Sequence, residues 1–200
     1  MREDRVETGA WSAIAAAAFL AVLAVPALAQ TVIDDARQAD ALAAQGKHLE
    51  ALAALDDAVG IVWDKTPLAC RRMLWVADKA AGFGIYNPRE SNVYGPGQKM
   101  LAYAEPVGFG WRKSGDLWHA EIAADVVFRS EAGEELARKE EFGRFPLASR
   151  VQNREFQLSF DFTLSGAPAG KYIVEAKLRE CGGRQDRHLQ PALCDPITRL

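Results

Sequence analysis

The chain has 200 residues, of which 24 are lysine or arginine and 27 are aspartate or glutamate, giving a formal net charge of −3. Apolar residues make up 49% of the sequence, which is enough for one hydrophobic core. No run of basic residues occurs, and the near balance of charge argues against the clustered basic face of nucleic-acid-binding proteins. We therefore expect no nucleic-acid partner.

The N-terminal segment 1–29 has the pattern of a cleavable secretory signal peptide. A polar lead, Met1 to Ala10, precedes an apolar run, Trp11 to Val25, and Ala27 and Ala29 suit signal peptidase. The run is shorter than the roughly 20 apolar residues that a membrane-spanning helix needs. We expect a periplasmic or secreted protein with no membrane span after cleavage. An uncleaved anchor, or a start codon assigned too early, is the alternative, because the lead carries more acidic than basic residues.

Residues 30–67 are predicted to form a helical hairpin. Alanine and leucine recur at helical spacing from Ile33 to about Trp63, and Gly46 interrupts the pattern. The sequence therefore predicts two antiparallel helices, Ile33 to Gln45 and Lys47 to Trp63.

The second of these helices resembles the second half of a tetratricopeptide repeat. Gly46 stands at the turn, and His48 stands where an aromatic residue is usual, as a packing residue rather than a metal ligand. The positions that match the small and large packing residues of the family are Ala51, Leu52, Leu55, Ala58 and Val59. Such arrays need about three units before they are stable. The resemblance implies either a hairpin packed on the following domain or a peptide-binding groove that another chain completes.

From Leu68 the apolar period changes to two, and residues 68–180 are predicted to form six strands without intervening helices. The predicted strands are Cys70 to Ala77, Lys99 to Val107, Leu117 to Arg129, Leu136 to Phe142, Phe156 to Leu164 and Tyr172 to Leu178. Such a series predicts an antiparallel β-sandwich. We expect Trp118, Phe156 and Phe160 on the buried faces of their strands.

The segment Leu164 to Tyr172 resembles the corner before the penultimate strand of many bacterial immunoglobulin-like domains. In such folds a tyrosine at this place bonds back to the turn backbone, the tyrosine corner. The resemblance assigns this structural role to Tyr172, which follows the turn glycine Gly170. It extends over Cys70 to Glu180 and implies an exported bacterial protein with an immunoglobulin-like sandwich, without the cysteine pair of the antibody-type branch.

The tail, residues 181–200, shows neither alternation nor a helical stripe, although an immunoglobulin-like domain needs a seventh strand there. Reading the codons from Gln185 one nucleotide later permits an alternating strand, KTATFSLPFVIR. A frameshift is therefore one explanation, and an irregular, variable terminus is the other. If the tail is translated as written, we expect the sixth predicted strand to keep an unpaired edge.

The three cysteines leave their pairing open. Their number is odd, so at least one of them has no partner within the chain. A bond between Cys181 and Cys194 and a bond between Cys70 and Cys181 are both compatible with an oxidising compartment. A buried, free Cys70 is the third possibility.

The sequence contains no motif of catalysis or metal binding. Its histidines, His48, His119 and His188, are scattered, and HExxH, GxSxG, CxxC and phosphate-binding loops do not occur. The carboxylates between Glu134 and Glu141 alternate with basic residues, which is typical of a solvated strand. We therefore expect no enzymatic activity, no cofactor and no metal.

The best candidate contact surface is aromatic. Trp111 and Arg112 are adjacent in the loop Phe109 to Lys113, and Tyr86 and Tyr94 are nearby in sequence. An exposed tryptophan beside an arginine favours stacking on a sugar or anchoring a protein, whereas core packing of Trp111 is the alternative. We expect a non-catalytic protein-binding or assembly module with a cell-envelope protein as partner. A carbohydrate-binding module is the second hypothesis, and a hydrolase is the third.

Overall fold

The computed structural model of the chain describes residues 31–181, together with the backbone of residues 192–194 and 197–199, so the predicted signal peptide lies outside the described residues. Among the described residues, no helix combines the length and the hydropathy that crossing a bilayer requires. The helices are α1 (Val32–Ala44) and α2 (His48–Lys65). The strands are β1 (Ala69–Trp75), β2 (Lys99–Val107), β3 (Arg112–Ser114), β4 (Leu117–Ser130), β5 (Glu135–Ser149), β6 (Leu158–Thr163), β7 (Lys171–Glu180), β8 (Ala192–Cys194) and β9 (Ile197–Arg199).

The two helices contact each other through small side chains. The hydroxyl oxygen of Thr31 accepts a backbone N–H of the first turn of α1, which fixes the start of that helix. Gly46 has a φ of 75°, a conformation that lets the chain turn between the helices at little cost. Ala39, Ala51 and Ala54 form the buried contact between α1 and α2.

The protein is mainly β, with antiparallel sheets, as the sequence predicts. One sheet has the order β1-β2-β6, and the other has the order β5-β4-β7 with β3 also on β4. One buried cluster draws side chains from both sheets. Its members on the strands include Trp75, Met100, Phe160, Ile122, Val126, Val174 and Leu178.

Most predicted strands differ from the structure by one or two residues at an end, and the differences at β5 and β6 affect the core. β6 begins at Leu158, so Phe156 lies before the strand, half-buried, with its ring centroid 5.6 Å from that of Phe109. β5 continues to Ser149, because the long strand β4 offers it pairing partners as far as Trp118. Trp118 is itself half-buried against the core cluster, and Phe160 is buried within it.

The expectation of an unpaired edge on the sixth predicted strand is wrong. That strand is β7, and both β8 and β9 pair with it. Each added strand has only three residues, which is too short to show an alternating pattern in the sequence. The frameshift hypothesis concerns the nucleotide sequence and stays a prediction.

Neither pairing through Cys181 is found, because Cys181 is free and Cys70 is disulfide-bonded. The possibility of a free Cys70 is therefore wrong as well. Cys181 follows β7, in the sheet that does not contain β1 and Cys70, and its sulfur lies 3.8 Å from Nη1 of Arg144.

Helix α2 contacts the residues that follow it in the chain at two points. Trp63 donates its indole N–H to the carbonyl oxygen of Phe109 at 2.9 Å. Arg154 donates to the backbone oxygen of Asp56 at 3.0 Å and lies 3.4 Å from its carboxylate. Next to Phe109, Gly108 packs so closely on the segment after α2 that a Cβ atom would lie 2.3 Å from the carbonyl oxygen of Pro67.

Candidate functional site

The four predicted contact residues do not form one exposed surface. Trp111 is 8% exposed and packs on Phe109, with ring centroids 5.6 Å apart, and Tyr94 is 5% exposed and stands edge-on to Trp75. Both belong to the core cluster. Of the two alternatives for Trp111, the structure shows core packing, so this ring is not exposed for stacking on a sugar.

The other two predicted contact residues lie elsewhere. Arg112 is exposed at the start of β3. Tyr86 is half-buried in a separate cluster, where its ring centroid lies 4.3 Å from that of Tyr103 and its hydroxyl accepts a hydrogen bond from Arg72. The four residues therefore do not share one surface: two lie in the core cluster, Tyr86 lies in a separate cluster, and Arg112 lies on β3.

The largest exposed apolar stripe on the helices runs along α2. Leu52, Leu55, Val59 and Val62 are 45 to 59% exposed, and their spacing of three, four and three residues places them on one face of the helix. We call these four residues the apolar helix face. An ordinary surface helix buries its large apolar side chains. Here α2 buries small ones instead, and the large ones face solvent.

A shallow groove of about 490 Å³ lies beside the apolar helix face. On the α1 side its lining includes Ala36, Ala43 and Asp40, and on the α2 side it includes Leu52 and Leu55. Alanine side chains project little from α1, so the groove stays open. His48 also lines the groove at the start of α2.

The helices carry a marked negative charge. Residues 31–65 contain seven aspartate or glutamate residues and three lysine or arginine residues, a net charge of −4, whereas the whole chain has −3. Asp40 lines the groove itself, and Asp56 lies on α2 beside Arg154. A ligand of this groove would therefore contact apolar side chains and lie in a negatively charged region of the surface.

A second concave region is polar and lies where β3, β4 and β5 come near the end of β7. His119, Arg112 and Cys181 line this pocket of about 300 Å³. Both carboxylates of its lining make a polar contact: Glu180 accepts the backbone N–H of Gly110 at 3.0 Å, and the Arg144 guanidinium lies 3.2 Å from the carboxylate of Glu121. Hydrogen bonds to Glu121 and Glu141 raise the pKa of Arg144. Across the described part of the chain, histidine, cysteine and carboxylate side chains do not gather in threes that would hold a metal.

The apolar helix face is thus the candidate functional site. The sequence pattern predicts that its residues share a helical face, but it does not predict their exposure. The small and large positions read from the tetratricopeptide-like pattern include Leu52, Leu55 and Val59, but periodicity does not say which side a neighbouring element covers. In comparisons with known proteins, neither a family model nor a curated protein matches this chain. The geometry of the site is therefore the basis for a functional proposal.

Proposed function

We propose that this protein is a non-catalytic protein-binding or assembly module of the cell envelope, and that it binds its partner through the apolar helix face. The observation that carries the proposal is the exposure of Leu52, Leu55, Val59 and Val62 in one stripe. Contiguous exposed apolar residues mark interaction surfaces in soluble proteins. Burying the exposed parts of four such side chains contributes about 3 to 5 kcal/mol before the costs of association are subtracted.

The scaffold of this module is an immunoglobulin-like sandwich preceded by a helical hairpin. Two observations support this interpretation. The strand orders β1-β2-β6 and β5-β4-β7 fit the two sheets of such a fold. The hydroxyl of Tyr172 donates to the carbonyl oxygen of Pro168 at 2.7 Å, which is the bond that a tyrosine corner requires.

Export from the cytoplasm is part of the same proposal. The sequence of residues 1–29 supports it, and so does the disulfide bond of Cys70, because disulfides persist in oxidising compartments such as the periplasm. The partner is accordingly an envelope protein.

The partner contributes an amphipathic helix whose apolar stripe is flanked by lysine or arginine. A helix in a groove uses anchors at the spacing that the apolar helix face offers, and four residues from Leu52 to Val62 span about 15 Å of helix axis. The net charge of −4 on residues 31–65 favours a basic flank. A second copy of this chain would bring the same negative charge to the contact, which opposes a symmetric dimer through these helices.

Site-specific photocrosslinking in cells tests the proposal. A photoreactive amino acid at Leu55 or Val59 should give one discrete adduct, and the same group at Ala53 or Asp57, on the opposite face of α2, should not. Mass spectrometry of the adduct should identify a basic amphipathic helix at the crosslink.

Matched substitutions complete the test. The double variant Leu55→Glu with Val59→Glu should lose the complex, while Ala53→Glu should keep it at wild-type level. Equal adducts from both faces, a self-crosslinked dimer, or a complex unaffected by the double variant would refute the proposal.

A further inference from the structure

β6 is an edge strand, and over the described residues it pairs only with β2. The direction of its backbone groups follows from the next strand pair. Val76 donates its N–H to the carbonyl oxygen of Leu101 at 3.0 Å, so the backbone groups of Leu101 point toward β1. Successive residues of an antiparallel strand bond to opposite sides. The backbone groups of Ala102 therefore point toward β6, where its partner in register is Phe160.

The neighbours of Phe160 consequently direct their backbone groups away from the sheet. Ser159 and Asp161 have N–H and C=O groups on the open side of β6. Both residues also line a cleft of about 640 Å³ that reaches Phe142 and Phe145 of β5. An edge of this kind is a template for an added strand.

The cleft has an apolar wall that comes from the other sheet. The ring centroids of Phe145 and Phe142 lie 5.4 and 6.3 Å from that of Phe160. The ring of Phe145 lies over the backbone of Gly143, where a Cβ atom would stand 3.0 Å from it. A strand laid along β6 would thus direct every second side chain toward aromatic rings.

The rim of the cleft is positively charged. Lys79, Lys99 and Asp161 line it. Lys99 and Asp161 form an ion pair of 2.8 Å, whereas Lys79 makes no ion pair with any described residue. An acidic side chain on a ligand would complement Lys79, and a second copy of this chain would instead bring a rim of the same positive charge.

We propose that β6 accepts an extended segment of a partner protein as an additional strand, with large apolar residues at alternate positions and a carboxylate among the intervening ones. The apolar residues face Phe142 and Phe145, and the carboxylate faces Lys79. The backbone groups of Ser159 and Asp161 supply the hydrogen bonds. This edge is separate from the apolar helix face and goes beyond the proposed function, since it recognises a strand of acidic character rather than a basic helix.

Binding of labelled peptides to the mature protein, followed by fluorescence anisotropy, tests the inference. The probe is an eight-residue peptide in which valine or leucine alternates with aspartate or serine. Two further peptides carry N-methyl groups on the odd or on the even residues. Because only one set of N–H groups faces β6, one methylated peptide should lose binding about tenfold or more, and the other should bind like the unmodified peptide.

A matched pair of protein variants tests whether the backbone N–H of Ser159 binds the peptide. Ser159→Pro removes an N–H on the open side and costs no bond to β2, and proline is tolerated at such edge positions. It should weaken binding about five- to tenfold, whereas Ser159→Ala should change it less than about twofold. Circular dichroism checks that both variants fold. If Ser159→Pro does not fold, the methylated peptides decide the question alone.

Three results would overturn the inference: no binding of the unmodified peptide at millimolar concentration, equal binding of all three peptides, or dimerisation through β6 in ultracentrifugation. The variant Leu55→Glu with Val59→Glu should retain peptide binding at this edge. Loss of the envelope partner and loss of strand addition are therefore separable.

Discussion

Trp63 of α2 and Phe109 of the loop after β2 interact twice: the indole N–H donates to the Phe109 carbonyl oxygen at 2.9 Å, and the two rings stand edge to face with centroids 5.1 Å apart. This pair joins the helices to the β core, since Phe109 is buried in the core cluster. The direction in which the apolar helix face points is therefore set by the β region as well as by α1.

We expect the hydrogen bond from Trp63 to contribute measurably to stability. Trp63→Phe keeps an aromatic ring but leaves the Phe109 carbonyl without this donor, so it should lower the free energy of unfolding by about 1 to 2 kcal/mol. Urea denaturation of the mature protein measures the change. Asp57→Ala, at an exposed position of the same helix, serves as the control and should stay within about 0.5 kcal/mol of wild type. A Trp63→Phe protein as stable as wild type would show that the bond contributes nothing.

Gly108 should tolerate no side chain. Its φ is 71°, and a Cβ atom would lie 2.3 Å from the Pro67 carbonyl oxygen, so Gly108→Ala must displace the segment that ends α2. We expect a loss of about 3 kcal/mol or more in the free energy of unfolding. Gly115 is the matched control, because its φ is 58° but nothing lies within 4 Å of the added atom. Gly115→Ala should cost only about 1 kcal/mol from backbone strain. Equal losses in the two variants would contradict the close approach at Gly108.

Asp125 should make stability depend on pH in the acid range. Burial alone raises the pKa of this carboxyl group, but the backbone N–H of Glu141 at 2.9 Å and the Arg179 guanidinium at 3.2 Å outweigh it, so the pKa is lowered from its ordinary 3.8. A lowered pKa in the folded state means that the stabilisation is present above the unfolded-state value. It is lost as the pH falls through the folded-state value.

Thermal unfolding between pH 2.5 and pH 7 measures this dependence. Wild type should lose melting temperature more steeply below about pH 4 than Asp125→Asn does, because the amide has no proton to gain. Asp116→Asn, which removes the same charge from an exposed position in the turn between β3 and β4, is the control for the change in net charge. Parallel profiles for wild type and Asp125→Asn would contradict the assignment.

The cysteines should react differently in the folded protein. Cys181 is free and partly accessible, so iodoacetamide should alkylate it without reductant, whereas Cys70 should react only after reduction. Peptide mapping under non-reducing conditions should join the Cys70 peptide to that of Cys194, the one cysteine left for an intrachain bond. A frameshifted tail would lack Cys194, so the same map tests the frameshift hypothesis. Recovery of Cys70 as a free thiol would contradict the disulfide.

Local sequence patterns predict where helices and strands lie better than they predict which side chains other segments cover. Alternation over Phe156 to Leu164 predicts a strand with Phe160 in the core, because a half-covered sheet imposes a period of two on the chain. The helices are predicted within a few residues, since Gly46 marks the turn between them.

Burial that depends on distant segments could not be read from the sequence. Trp111 stands beside glycine and arginine and resembles an exposed loop residue, but it packs on Phe109, which α2 in turn contacts through Trp63. Leu52 and Leu55 share a helical face, and only the arrangement of α1 against alanines of α2 shows that this face is uncovered. The pairing of β8 depends on a register that three residues cannot encode.

The alanine contact between α1 and α2 has a consequence for assembly. Ala39, Ala51 and Ala54 remove little apolar area from water, so the free energy that holds α1 in place is small compared with that of the aromatic core. A bound helix lying in the groove would touch both helices at once and add its own buried area to theirs. If a helix binds in this groove as proposed, amide exchange throughout α1 should slow, because the bound helix would pack on α1 as a third helix.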